Sequence, residues 1–422
     1  MTDEKSSPLV PSLRFPEFSE AGEWVESTLI NIAKFRRGSF PQPYGLPKWY
    51  DDKDGIPFVQ VFDVSDNLRL KTKTKNKISR LGTEQSVFIP SGTLIVTLQG
   101  SIGRVAITQY DAYIDRTLLL FEEFRKPTEK LFFAYVIQNL FEIEKEKAPG
   151  GIIKTITKEV LSDFKVKLPT LPEQQKIAAC LSSLDELITA HSKKLDALKK
   201  HKKGLMQQLF PAEGQTVPIL RFPEFSEAGE WVEKMLNELT NYVDYRGKTP
   251  AKHESGIFLI TAKNIKKGYI DYECSKEYVS FDEYEEIMKR GKPKIGDVLF
   301  TTEAPLGNVA QVDNENIALA QRVIKFRCNS ASNNNFLKHY LLGDRFQKIL
   351  AEKAIGSAVL GIQGKVLHKL PLIIPNIKEQ QKIAACLSSL DELITAHSKK
   401  LDALKKHKKG LMQQLFPAVG ED

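Results

Sequence analysis

Apolar residues recur in alternating steps of four and three along Ile177, Leu181, Leu184, Ile188, Leu195, Leu198, Leu205 and Leu209, with His191 and Lys202 filling the two gaps. A 3.5-residue period marks a helix whose apolar seam faces a second helix. The same seam returns as Ile383, Leu387, Leu390, Ile394, Leu401, Leu404, Leu411 and Leu415. Thr170 with Glu173, and Asn376 with Glu379, each offer a side-chain cap and a glutamate three residues on, and Pro211 and Pro417 close the two stretches. About 40 residues at 1.5 Å each predict a rod of ~60 Å.

The seams are copies of one another. Glu173–Ala212 recurs without a change as Glu379–Ala418, and Leu13–Glu26 recurs without a change as Leu220–Glu233. Between these blocks the halves diverge, leaving weak echoes. Arg37-Gly38 before Pro41 matches Arg246-Gly247 before Pro250, and Gly55-Ile56 matches Gly256-Ile257. GTLIVTLQGSIGRVA (Gly92–Ala106) matches GDVLFTTEAPLGNVA (Gly296–Ala310), Arg116 falls opposite Arg322, and Gly150 falls opposite Gly356. One fold carrying two different surfaces is the expectation.

A seam this long needs a partner, and its own copy is the nearest. The linker from Pro211 to Trp231 is too short to run back along a ~60 Å rod without being almost fully extended. Antiparallel pairing is therefore expected, with the variable domains at opposite ends. A register centred near position 193 puts Ile177 opposite Leu415, Leu181 opposite Leu411 and Ile188 opposite Leu404, with Lys202 and Lys408 facing Leu390 and Leu184 as an internal polar pair that fixes it.

The variable regions read as mixed α/β. Leu94–Leu98 and Arg104–Thr108 flank a QGSIG turn, while Leu131–Lys145 and Phe336–Ile349 carry helical spacing. The fold class expected is α+β, a pseudo-twofold tandem repeat of two mixed domains joined by an antiparallel coiled coil. The expected segments are a flexible tail at 1–11, a variable domain at 12–169, a helical spacer at 170–212, a linker with the second variable domain at 213–375, and a second spacer with a C-terminal tail at 376–422.

Composition narrows this picture. With 41% apolar residues the 422-residue chain can bury real cores. No apolar run approaches a membrane span or a secretory leader, and the four cysteines form no CxxC pair or zinc spacing, so a reduced cytoplasmic protein is expected. The net charge is +8, but each Glu173–Phe210 block holds seven lysines and four acids, so the two blocks carry most of it. The lysine run Lys193–Lys203 reads as a solvated or partner-docking face.

No motif of catalytic chemistry stands in the sequence. RGKT at Arg246–Thr249 lacks the leading glycine of a phosphate loop, having Tyr242 there, and GIQGK at Gly361–Lys365 is followed by Val366 where Ser or Thr is needed. There is no Asn/Asp-Pro-Pro-aromatic run, GxSxG or HExxH. Four of the seven histidines are two duplicated positions, His191/His397 and His201/His407, which reads as a helix role rather than a metal site.

LPTLPEQQKIA at Leu168–Ala178 and IIPNIKEQQKIA at Ile373–Ala384, where Lys378 replaces the usual proline, together with GSIGRVA at Gly100–Ala106 and APLGNVA at Ala304–Ala310, resemble the specificity subunit of type I restriction–modification systems along the whole chain. The resemblance implies two target-recognition domains, each reading one half of a split, asymmetric DNA sequence. It also implies helices that set the spacing and dock two methyltransferase subunits, which endonuclease/translocase subunits then join. S-adenosylmethionine, ATP and magnesium would belong to those partners, leaving this chain non-catalytic and cofactor-free inside an adenine methyltransferase and ATP-dependent endonuclease. The competing readings are a coiled-coil assembly scaffold with two protein-binding domains and a fused pair of small-ligand domains.

Base edges are matched by Arg, Lys, Asn and Gln on loops. The candidates in the first domain are Arg36, Arg37, Gln99, Ser101, Arg116, Lys154 and Thr155. In the second they are Arg246, Lys248, Lys263, Asn264, Gln321, Arg322, Gln363 and Lys365.

Overall fold

The computed structural model describes residues 9–147, 158–245, 250–356 and 359–417. Two long helices, Leu171–Leu209 and Ile377–Leu415, form where the two seams lie. The chain divides into two compact units, and each helix is cut near its middle. The first unit takes the chain to Lys193 together with Lys399 onward; the second takes Lys194–Ser398.

In the first unit β1 (Val25–Thr28) pairs antiparallel with β10 (Lys165–Leu168), carrying the chain into the helix. One four-stranded sheet has the order β2 (Ala33–Arg37), β9 (Leu118–Phe124), β6 (Leu94–Thr97), β7 (Val105–Ile107). The other runs β4 (Asn76–Ile78), β3 (Ile56–Val59), β8 (Ala112–Ile114), β5 (Val87–Ile89), and β3–β8 is its parallel pair. The expected strand–turn–strand is β6–β7, with Ile95 opposite Ala106. The expected helix spans Lys130–Lys147.

The second unit repeats the plan. β11 (Val232–Met235) pairs with β19 (Pro371–Ile374). A four-stranded sheet runs β12 (Thr240–Asp244), β18 (Val323–Cys328), β15 (Val298–Thr301), β16 (Val309–Gln311). A three-stranded sheet runs β14 (Tyr278–Val279), β13 (Ile257–Ile260), β17 (Ile317–Leu319), with β13–β17 parallel. The single helix expected at Phe336–Ile349 is two, Asn334–Leu342 and Asp344–Lys353, because the chain turns extended at Gly343.

Antiparallel pairing is visible inside each unit. In the first, Ile177, Ala178 and Leu181 near the start of one helix share a core with Leu411, Met412, Leu415 and Phe416 near the end of the other. In the second, Leu205, Met206, Leu209 and Phe210 meet Ile383, Ala384 and Leu387. All sixteen seam residues are buried or half-buried. The lysines sit one residue from their expected partners: Lys408 Nζ reaches Asp185 Oδ1 at 2.7 Å, beyond Leu184, and Lys202 pairs with Asp391, beyond Leu390. An ammonium half-buried in a seam needs an anion more than a packing contact, and the aspartate beside each leucine supplies it.

Asn376 caps its helix as expected, its Oδ1 accepting from Glu379 N at 3.0 Å. The reciprocal glutamate bonds of a capping box do not form, since Glu173 and Glu379 turn their carboxylates to Arg14 and Arg221. Packing also begins earlier than the expected end of the tail, with Leu9 O accepting from Trp24 N at 2.8 Å. Among the described residues no helix is long and apolar enough to cross a membrane.

Candidate nucleic-acid interface

In the first unit the β6–β7 turn projects Gln99 and Ser101 into solvent. Thr97 closes the turn from beneath, its hydroxyl accepting from Arg104 N at 3.0 Å and donating to Ser101 O. Gly103 has φ +80°, and a Cβ there would lie 2.6 Å from Phe141, so glycine is required on both counts. Arg104 Nη1 donates to Val64 O at 3.2 Å, tying this turn to the loop after β3.

The β8–β9 turn presents Arg116, with its guanidinium carbon 5.3 Å from the centre of the Tyr44 ring. Tyr44 is held by a polar relay. Its hydroxyl donates to Asp115 Oδ2 at 3.3 Å and accepts from Gln60 Nε2 at 3.1 Å, while Gln60 Oε1 accepts from Asn76 Nδ2 at 2.7 Å. Burial first, and then the Asp115 charge, push the Tyr44 hydroxyl above its ordinary value, so it stays a donor. Asp115 Oδ1 accepts from Thr117 N and Oγ1 at 2.9 and 2.7 Å, which fixes the turn. Arg36 and Arg37 leave β2 exposed, Arg36 Nε lying 3.7 Å from Glu122. Gly38 brings that strand end against the turn, since a Cβ there would sit 2.5 Å from Asp115 O. Arg37, at the end of β2, thus adjoins the turns that carry Gln99, Ser101 and Arg116 within one unit. Lys154 and Thr155 lie outside the described residues.

In the second unit Arg322 Nε lies 2.6 Å from Glu303 Oε1. Glu303 forms an antiparallel bridge with Gly361, and Ile362 N donates to Thr302 O at 3.0 Å, so exposed Gln363 and Lys365 enter from the adjoining segment. Gln321 is half-buried, and Lys263 is exposed after β13. Arg246 and Lys248 lie outside the described residues.

Asn264, expected among the base readers, is held inside the fold. It is fully buried; its Oδ1 accepts from Thr261 N and Oγ1, and its Nδ2 donates to Asp271 O and Ser275 O. With every polar position used inside the fold, it holds a turn and has nothing left for a base. The Arg116–Arg322 echo also shifts by one. Leu98 N donates to Thr117 O as Thr302 N donates to Arg322 O, so Arg322 corresponds to Thr117, and Arg116 to Gln321. Glu303 lies outside the residue types expected at base edges, although a carboxylate can accept from cytosine N4. Its position opposite Gln99 in the matched turns was the available signal. Among the described residues no group of His, Cys, Asp and Glu could hold a metal ion.

A family model described as the type I restriction modification DNA specificity domain matches residues 22–200 and again 228–406. The chain belongs to this family. Each matched segment of this specificity-domain protein takes in one variable domain and enters the long helix that follows it. The chain is similar to the type I restriction enzyme MjaVIII specificity subunit of Methanocaldococcus jannaschii, at 27% identity over 79% of this chain and 80% of that one. It is also similar to the EcoBI specificity subunit of Escherichia coli, at 22% identity over 87% and 79%. The crystal structure of a type-I restriction-modification system S subunit from M. genitalium shares the fold, with a TM-score of 0.63 at 16% identity over 97% of this chain and 100% of that one.

Proposed function

We propose that the chain is the DNA-reading, non-catalytic subunit of a type I restriction–modification enzyme, each variable domain reading one half of a bipartite duplex target. The observation that carries this is the match of one DNA specificity domain to both halves of the chain. The two units support it, since they repeat one strand plan while presenting different side chains on the β6–β7 and β15–β16 turns. Two half-sites of different sequence require two such surfaces. The scaffold reading is weaker, because it gives no reason for a DNA specificity domain to occur twice.

The reading extends to partners. The chain works within a complex with other subunits and DNA; two methyltransferase subunits dock on the paired helices, and endonuclease/translocase subunits complete the enzyme. S-adenosylmethionine, ATP and magnesium are bound by those partners, and the protein acts in the cytoplasm. Candidate readers are Arg36, Arg37, Gln99, Ser101 and Arg116 in the first unit. In the second they are Lys263, Gln321, Arg322, Gln363 and Lys365, joined by Glu303. The test is to exchange Asn31–Leu168 for the matching segment of another family member and map the methylated sites. One half of the target is expected to change while the other stays. Both halves changing together, or neither, would overturn separate readout.

A further inference from the structure

Arg69–Arg80 (RLKTKTKNKISR) holds six cations and no acid. Arg69, Lys71, Lys73, Lys75 and Arg80 are exposed, and Lys77 is half-buried. The segment leads from the loop after β3 into β4 and is fastened by buried Asp63. Asp63 O accepts from Lys71 N at 2.8 Å, and its Oδ1 accepts from Lys75 N at 2.9 Å. Among the described residues none of the six forms a salt bridge; the Lys75 ammonium lies 5.0 Å from the Phe62 ring, and Lys77 donates to Lys53 O. So many like charges on one short segment repel one another; the Asp63 carboxylate attracts Lys71 and Lys75, and a polyanion would offset the rest.

The corresponding segment of the second unit has the opposite sign. Asp271 N donates to Asn264 O as Lys71 N does to Asp63 O, and Val279 pairs with Ile257 as Ile78 does with Ile56. Tyr269–Phe281 therefore corresponds to Arg69–Arg80, yet holds three acids and one lysine. There Lys276 pairs with Glu273 at 2.7 Å and Glu277 with Lys252 at 2.9 Å.

The basic segment adjoins the reading loops. Asn76 begins the relay through Gln60 to Tyr44, beneath Arg116. Arg104 bonds Val64 O, and a Cβ on Gly100 would lie 3.4 Å from Val61. We propose that Arg69–Arg80 is a phosphate-binding strip that grips the duplex backbone beside the half-site read by the first unit, with no counterpart in the second, so that the sequence-independent hold on DNA is one-sided. This rests on the DNA-reading function proposed above. Backbone contacts position a reader without specifying sequence, and their affinity falls as counterions compete.

The test uses the full chain, alone and assembled with its partner subunits. Its binding to a duplex carrying the mapped methylation site, and to a random-sequence duplex, is measured across salt concentrations. R69Q/K71Q/K73Q/K75Q is expected to weaken both duplexes by the same factor and to flatten the log–log salt slope by about 0.9 per lost contact, up to about 3.6. R69K/K71R/K73R/K75R is expected to keep the parent slope, as is K252Q/K276Q/K289Q/K348Q, which removes equal charge from exposed lysines of the second unit. Should the first variant unfold, K71Q and K73Q singly are each expected to flatten the slope by about 0.9. An unchanged slope in the folded strip variants, or an equal loss in the second-unit lysine variant, would overturn the strip while leaving DNA reading intact. A parent chain that binds neither duplex, alone or assembled, would overturn the DNA-reading function itself.

Discussion

Glu173 shares its carboxylate between Arg14, at 2.8 and 2.7 Å, and the Trp24 indole N–H at 3.3 Å; Glu379 repeats this with Arg221 and Trp231. Glu173 is fully buried and the Arg14 side chain 10% exposed, so removing one partner strands the other's charge. Glu173→Ala is expected to destabilise the protein by about 3–5 kcal/mol in chemical denaturation, and the double change Arg14→Met/Glu173→Met by less than that single change. His339 carries a second expectation. Burial, with Lys338 and Lys202 nearby, pushes its imidazole down to about 2, while Asp391, 3.8 Å away, is already shared by those two lysines. The unfolded chain takes up a proton near pH 6.5 that the folded His339 refuses, so stability is lost as pH falls below ~6.5, by at most about 1.4 kcal/mol per pH unit. Thermal melts at pH 7 and pH 5 are expected to show a smaller acid loss in His339→Gln than in the parent; equal losses would show that His339 takes no part. Single residues were also the least legible part of the sequence. Asn264 carries the chemistry of an adenine reader, and only its burial shows that this chemistry is spent on Thr261, Asp271 and Ser275.

The helices were legible because their period is a local property, repeated far more often than noise allows. The partner of Lys202 was not, because the leucine pattern defines the seam without saying which neighbouring polar residue an ammonium will reach. Gly343 breaks a helix whose apolar spacing continues past it, since spacing records the buried face and not the backbone path. The ion pairs bear on how the helices can be shortened. If the paired helices set the gap between half-sites, removing one heptad from each closes it by ~10 Å, or about 3 base pairs. Deleting Lys193–Lys199 and Lys399–Lys405 preserves the seam and spares both Lys202–Asp391 and Lys408–Asp185. Sites methylated by the shortened protein are expected to keep both half-sites and lose about 3 base pairs from the gap, or to vanish because the half-sites have rotated out of phase. Full methylation at the original gap would show that the helices do not set the spacing.

Across the whole molecule, tandem architecture was readable from two identical blocks, and the family followed from motifs at their edges. The distribution of charge was not readable from the sum. The total of +8 is dominated by the helices, and it hides one variable domain with a strongly basic segment whose counterpart in the other is acidic. The central claim is that two surfaces on one chain read two halves of one target. Mapping methylated adenines in host DNA, with and without the gene for this chain, tests it most directly. The expected result is a set of marks that depends on the gene and falls in an asymmetric motif of two specified halves separated by a gap of fixed length and free sequence. A gene-dependent motif that is a single uninterrupted block, or methylation unchanged when the gene is removed, would contradict it.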